Sequence, residues 1–216
     1  MKNKSLVELS QKTSDQLLEL YSTLDAPEPG EMQGEFDSAL PIDRDYEFRN
    51  LFKRLGRGDW LGKAYKVTSA DGLSGEGYNM WRLGNEEKRY LRFSWAFENS
   101  PYDGRPAIVM RYNSFKNDAG AVELIDEFRP LSKGVYIGLY YSRIALPPFT
   151  RYQQKESTLP EMFLLGGPAR EWVGPDNEEL ETGNWAWHQR VVQLLSNPKW
   201  SRKPISRITS LAAKLI

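Results

Sequence analysis

Residues 121–143, AVELIDEFRPLSKGVYIGLYYSR, set a carboxylic acid among apolar neighbours. At strand spacing Val122, Leu124, Asp126 and Phe128 share one face, and three of the four are apolar. A carboxylate there must find a partner or give up its charge. It can act as a general acid or base on a bound molecule, or it can form a buried ion pair that fixes strand register. Arg92 and Arg111, on neighbouring candidate strands, are the cations it can pair with. Tyr112 and Tyr140 can offer hydroxyls to the same space, as can Tyr136; sheet packing accounts for such tyrosines equally well. In the catalytic reading Asp126 moves the proton, Arg92 or Arg111 steadies developing charge, and Tyr112 or Tyr140 orients the substrate. Glu127 and Arg129 fall on the opposite face and read as a solvent-side pair.

Other chemistries find little support. Cysteine is absent and the one histidine is His188, so no zinc site with several nitrogen or sulfur ligands can form within one chain. An all-oxygen metal site has no EF-hand spacing behind it. His188 follows Trp185-Ala186-Trp187 and reads as a surface or packing residue. Gly72-Leu73-Ser74-Gly75-Glu76-Gly77 has no Walker lysine and sits between strands, as a hairpin loop would. No G-x-S-x-G elbow occurs, and basic residues do not cluster with aromatics as a nucleic-acid platform needs. We expect no cofactor, no metal and no nucleic-acid partner.

The elements that must hold Asp126 are strands. Alternation and turn clusters predict seven, at 63–68, 77–83, 89–98, 107–113, 121–128, 135–142 and 161–165, with a short one before them at 32–36. Short connections imply antiparallel hairpins, and no crossover helix interrupts them. Segment 89–98 is the clearest: Leu91, Phe93, Trp95 and Phe97 face one way and Arg92 the other. Ten residues at about 3.3 Å each make a strand long enough for a barrel wall. The stripe Phe93, Trp95 and Phe97, with Phe128 and Trp81, reads either as core or as the lining of a ligand cavity. Apolar spacing predicts a helix over 5–24, a short one over 46–55, and two more over 185–195 and 205–215.

The 216 residues suffice for one domain, with a helical N-terminal segment at 5–60, the main barrel strands at 60–166 and C-terminal helices at 184–216. The content is 40% hydrophobic and 27% charged, which allows a sizeable core and argues against global disorder. The first residues lack an apolar stretch followed by a small-residue cleavage site. No run reaches the roughly 18 apolar residues that span a bilayer. Both features predict a cytoplasmic protein. The net charge is zero, but from Thr182 onward the chain carries Arg190, Lys199, Arg202, Lys203, Arg207 and Lys214 and no acid. A cationic tail on an acidic body suits docking on that body, on an acidic partner, or on an anionic membrane surface.

Several segments resemble the uncharacterised GXWXG-type families. Gly34-Glu35-Phe36-Asp37-Ser38 stands where the naming motif would, with Phe36 in place of tryptophan and Ser38 in place of the second glycine. Trp60-Leu61-Gly62-Lys63-Ala64-Tyr65 is similar to the W-x-G-K-x-F element. Met110-Arg111-Tyr112, the run 123–129 and Val135-Tyr136-Ile137-Gly138 resemble the second region. The resemblance implies a lipocalin-like, or calycin, barrel. Calycins mostly carry apolar small molecules, and some act on them as isomerases, cyclases or lyases.

The expectation is thus a mainly β protein: an antiparallel calycin-type barrel, hollow or nearly so, with N-terminal and C-terminal helices. Eight strands leave just enough room for one small ligand. The leading function is binding of an apolar or amphipathic molecule such as a lipid, isoprenoid or polyketide-like compound. The alternatives are a cofactor-free isomerase, cyclase or lyase in the same barrel, and a peripheral membrane or partner-binding protein.

Overall fold

Eight antiparallel strands close into one barrel, each paired with its neighbour in the chain and the last with the first. The computed structural model describes residues 4–45, 57–121, 123–142 and 160–176. The strands are β1 (Gly34–Ala39), β2 (Asp59–Val67), β3 (Ser74–Leu83), β4 (Glu86–Asn99), β5 (Pro106–Arg111), β6 (Leu124–Ser132), β7 (Val135–Ser142) and β8 (Glu161–Arg170). Helices α1 (Lys4–Ser10) and α2 (Ser14–Tyr21) precede them. A 3₁₀ turn at Tyr112–Ser114 and the single-turn α3 (Asp118–Ala121) link β5 to β6. Among the described strands closure leaves no unpaired edge.

The predicted strands lie near their expected places but with different ends: β2 begins at Asp59, β3 takes in Ser74–Gly77, which had read as a hairpin loop, and β8 runs on to Arg170. The short first strand is a full stave, so the segment 5–60, expected to be helical, contributes to the wall. Strand β5 stops at Arg111, because Tyr112 opens the 3₁₀ turn. Strand β6 runs on through Pro130 to Ser132, and the chain reverses at Lys133-Gly134, where Gly134 takes φ 74°. The helix expected over 5–24 is two helices. Thr13 caps the second in a reciprocal exchange with Gln16, which ends the first helical run before it can continue. The helices expected over 46–55, 185–195 and 205–215, with His188 and the basic tail, lie outside the described residues.

The meander gives the barrel two distinct ends. At the lower end sit the β2–β3, β4–β5 and β6–β7 turns, the entry to β1 and the exit of β8. At the upper end sit the β3–β4 turn and the Tyr112–Ala121 link.

Inside the lower half, aromatic rings interlock. Phe36, Tyr65, Phe93, Phe128 and Tyr136 meet edge to face with centroids 5.4–5.7 Å apart. Glycines on neighbouring strands make room for them. Added Cβ atoms at Gly77 and Gly138 would stand 2.3 Å from the Phe93 ring and 2.2 Å from the Phe163 ring. The tube expected to be hollow is therefore filled along its lower half.

The outer wall is not all wet. Helices α1 and α2 lay Leu6, Leu9, Leu17 and Tyr21 on Val135, Ile137, Leu139, Met162 and Leu164. This explains why β7 and β8 read as almost continuously apolar: both of their faces are covered. Glu127 and Arg129 correct the solvent-side expectation for the same reason. Both point outward, yet both are fully buried. Glu127 accepts from Tyr21, Ser100 and Tyr141, and Arg129 forms a fork with Asp103 at 2.7 Å and lies 4.3 Å from the Tyr21 ring centre.

Candidate functional site

Asp126 faces the interior, as its alternation predicts, and it lies in the upper half of the barrel. Register places Met110, not Arg111, across from it on β5 and Tyr140 across from it on β7. Its cationic partner is Lys63 of β2, with Nζ 2.6 Å from Oδ2 and both side chains almost wholly buried. The Tyr112 hydroxyl donates to the same oxygen at 2.7 Å. Tyr112 shares its parity with inward-facing Met110 and is buried in the interior cluster.

Lys63 spends all three of its hydrogens inside the cluster. Besides Asp126 it donates to the Tyr112 oxygen at 2.7 Å and to Asn79 Oδ1 at 2.8 Å. Asn79 is likewise saturated. Its Oδ1 also accepts from Trp60 Nε1 at 3.2 Å, and its Nδ2 donates to Tyr112 at 3.0 Å and to the Leu91 carbonyl at 3.1 Å. One atom is left over. Asp126 Oδ1 is buried and has no hydrogen-bond partner among the described residues. An unmatched buried acceptor is costly unless something else supplies a donor.

The cluster stands on rings. The Lys63 ammonium lies 5.1–5.5 Å from the ring centres of Trp60, Phe93, Tyr112 and Phe163. Each negative ring face attracts the cation. Burial pulls the lysine below its ordinary 10.5, and the Asp126 charge works against that fall. Burial, then the same charge, drives the Tyr112 hydroxyl well above its ordinary 10.0. Tyr112 thus stays protonated and acts as a donor.

Arg92 and Arg111, the two arginines offered as partners, sit outside. Arg92 pairs with Glu76 at 2.9 Å and lies over the Phe115 ring, and Arg111 pairs with Glu98. Both are one residue out of phase with the inward face. Of the aromatics, Phe93 forms part of the cluster's floor, and Trp81 stands above it, stacked on Tyr90. Trp95 and Phe128 are buried in the interior core, and Phe97 packs against it partly buried. Tyr140 also packs there partly buried, directly across from Asp126.

Leu91 shares the interior with Phe93 as expected, but a bulge beside it turns Tyr90, expected on the other face, inward as well. Register jumps from Gly77↔Phe93 to Asn79↔Tyr90, and Leu91 takes φ 58°. Lys63 and Asn79 were not foreseen. The available signal was alternation: Lys63, Tyr65 and Val67 share a parity, which sets a lysine in line with residues that face the core.

Among the described residues no three His, Cys, Asp or Glu side chains converge as a metal site. No helix among them is long and apolar enough to cross a membrane. No protein-family description matches the chain, and no curated protein matches it. Among solved structures, a protein from Thermomonospora curvata aligns over 75% of this chain and 93% of its own, with 16% identity and a TM-score of 0.43.

Proposed function

We propose that the upper half of the barrel receives one apolar or amphipathic small molecule, whose hydrogen-bond donor is taken by Asp126 Oδ1. The observation that carries this reading is the buried, unmatched carboxylate oxygen in an otherwise saturated cluster. A hydroxyl group fits it: it supplies the missing donor while the rest of the ligand lies against aromatic rings. Around and above the cluster Trp60, Tyr90, Leu124 and Tyr140 are only partly buried, and a ligand reaching Asp126 from the upper end would lie against them. The filled lower half serves as a rigid floor. Lipid, isoprenoid and polyketide-like alcohols are the classes that combine such a head with such a body.

The likeness to GXWXG-type and calycin barrels agrees with this reading. Lys63, Tyr112 and Asp126 come from three separate segments that carry the resemblance, and they meet at one point in space. A second reading is a cofactor-free isomerase, cyclase or lyase. It is favoured by the division of labour within Asp126: Oδ2 is held by Lys63 and Tyr112, and Oδ1 is left to exchange a proton with a substrate.

Native mass spectrometry before and after organic-solvent extraction tests the binding reading. The expected result is a bound apolar molecule that extraction removes and an added apolar alcohol replaces one-to-one. A folded chain that carries nothing and takes up none of a series of such alcohols contradicts it.

A further inference from the structure

Of the three hydrogens on Lys63 Nζ, the cluster needs only one. Asn79 Oδ1 keeps a donor in Trp60 Nε1 if Lys63 withdraws, and the Tyr112 oxygen keeps one in Asn79 Nδ2. Only Asp126 Oδ2 requires the lysine's charge close by, 2.6 Å away. A protonated imine at Nζ retains one N–H and one positive charge, so it satisfies Asp126 and orphans no other acceptor. The four surrounding rings suit a delocalised cation, and the buried setting keeps out the water that would hydrolyse it.

We propose that Lys63 captures an apolar aldehyde as a protonated imine with Asp126 as its counter-ion, an inference that rests on the upper barrel taking a small molecule. Lys63 first passes one ammonium proton to Asp126. The freed lone pair on Nζ adds to the carbonyl carbon, the C=O π bond breaks onto oxygen, and that oxygen takes up the proton. A second proton then moves from nitrogen to the hydroxyl, which leaves as water as the C=N bond forms. In balance, one ammonium and one aldehyde give one iminium and one water, with no oxidant or reductant. The depressed basicity of the buried amine favours the first step.

The test uses cinnamaldehyde with cyanoborohydride, and cinnamyl alcohol as its non-reacting counterpart. The expected result is an intact-mass gain of one aldehyde less one oxygen atom, mapped by peptide analysis to Lys63. The alcohol binds reversibly by calorimetry and leaves no adduct. Lys63→Arg cannot form an imine, so the folded variant is expected to lose the adduct, and a folded Lys63→Arg that still gains the aldehyde's mass overturns the imine. Alcohol binding with Lys63 unmodified, or with only other lysines modified, overturns the imine and leaves the binding site standing. If the folded chain neither binds the alcohol nor reacts at Lys63, both readings fall.

Discussion

At the scale of single residues, Lys63 and Asp126 are each a hazard without the other. Removing one partner of a buried pair strands the remaining charge, at a cost of about 3–5 kcal/mol. Lys63→Met is therefore expected to lower stability by that amount in urea unfolding. The double variant Lys63→Met, Asp126→Leu is expected to lose far less than the two single losses combined, since two apolar groups replace two charges. Additive losses would mean that the pair is not coupled as its 2.6 Å contact implies. Asp126 was legible in the sequence because an acid among Val122, Leu124 and Phe128 breaks an apolar face. Lys63 was not, since a strand lysine ordinarily points to water and its context is set by Asn79, Tyr112 and Asp126, 16, 49 and 63 positions away. The arginines misled because proximity of strands says nothing of phase. Arg111 pairs across from Ile125, on the outside.

At the scale of elements, the floor beneath the site depends on glycines facing rings. Strand β7 carries Gly138 opposite Phe163 of β8, and an added methyl has no room there. Gly138→Ala is expected to cost about 1–3 kcal/mol through overpacking, read as a lowered urea midpoint with an unchanged slope. A neutral result would show that the ring can give way. The strands themselves were readable from alternation and turn residues, but not all of their ends: β6 runs past Phe128 through Pro130 to Ser132. The bulge at Leu91 was not readable, because nothing local in Tyr90-Leu91-Arg92 demands a positive φ. The covered outer face was also hidden. Glu127 and Arg129 look solvent-bound until α2 places Tyr21 over them, 106 residues away in the case of Glu127.

At the scale of the whole molecule, polar groups as well as apolar contacts bind α2 to the barrel, and titratable groups at that face make stability depend on pH in two opposite windows. Hydrogen bonds from Arg129 hold the Asp103 carboxyl below its ordinary 3.8. Its contribution is present above that value and is lost as pH falls through the folded one. Burial pushes the Glu127 carboxyl above its ordinary 4.5, against hydrogen bonds from Ser100, Tyr21 and Tyr141. The folded chain holds that proton more tightly, so this contribution is full below 4.5 and is lost as pH rises through the folded value. Unfolding titrations of Asp103→Asn and Glu127→Gln against the parent are expected to flatten the acid limb and the limb just above it, respectively. Identical pH profiles in all three proteins would count against these assignments.

Carbon-13 NMR of the chain labelled at its aspartate carboxyls tests the central claim most directly. On titration with cinnamyl alcohol, the Asp126 carboxyl signal is expected to move saturably while the other aspartates hold still, because its free oxygen gains a donor. An Asp126 signal that stays fixed through saturating alcohol, in a folded protein, would contradict the account.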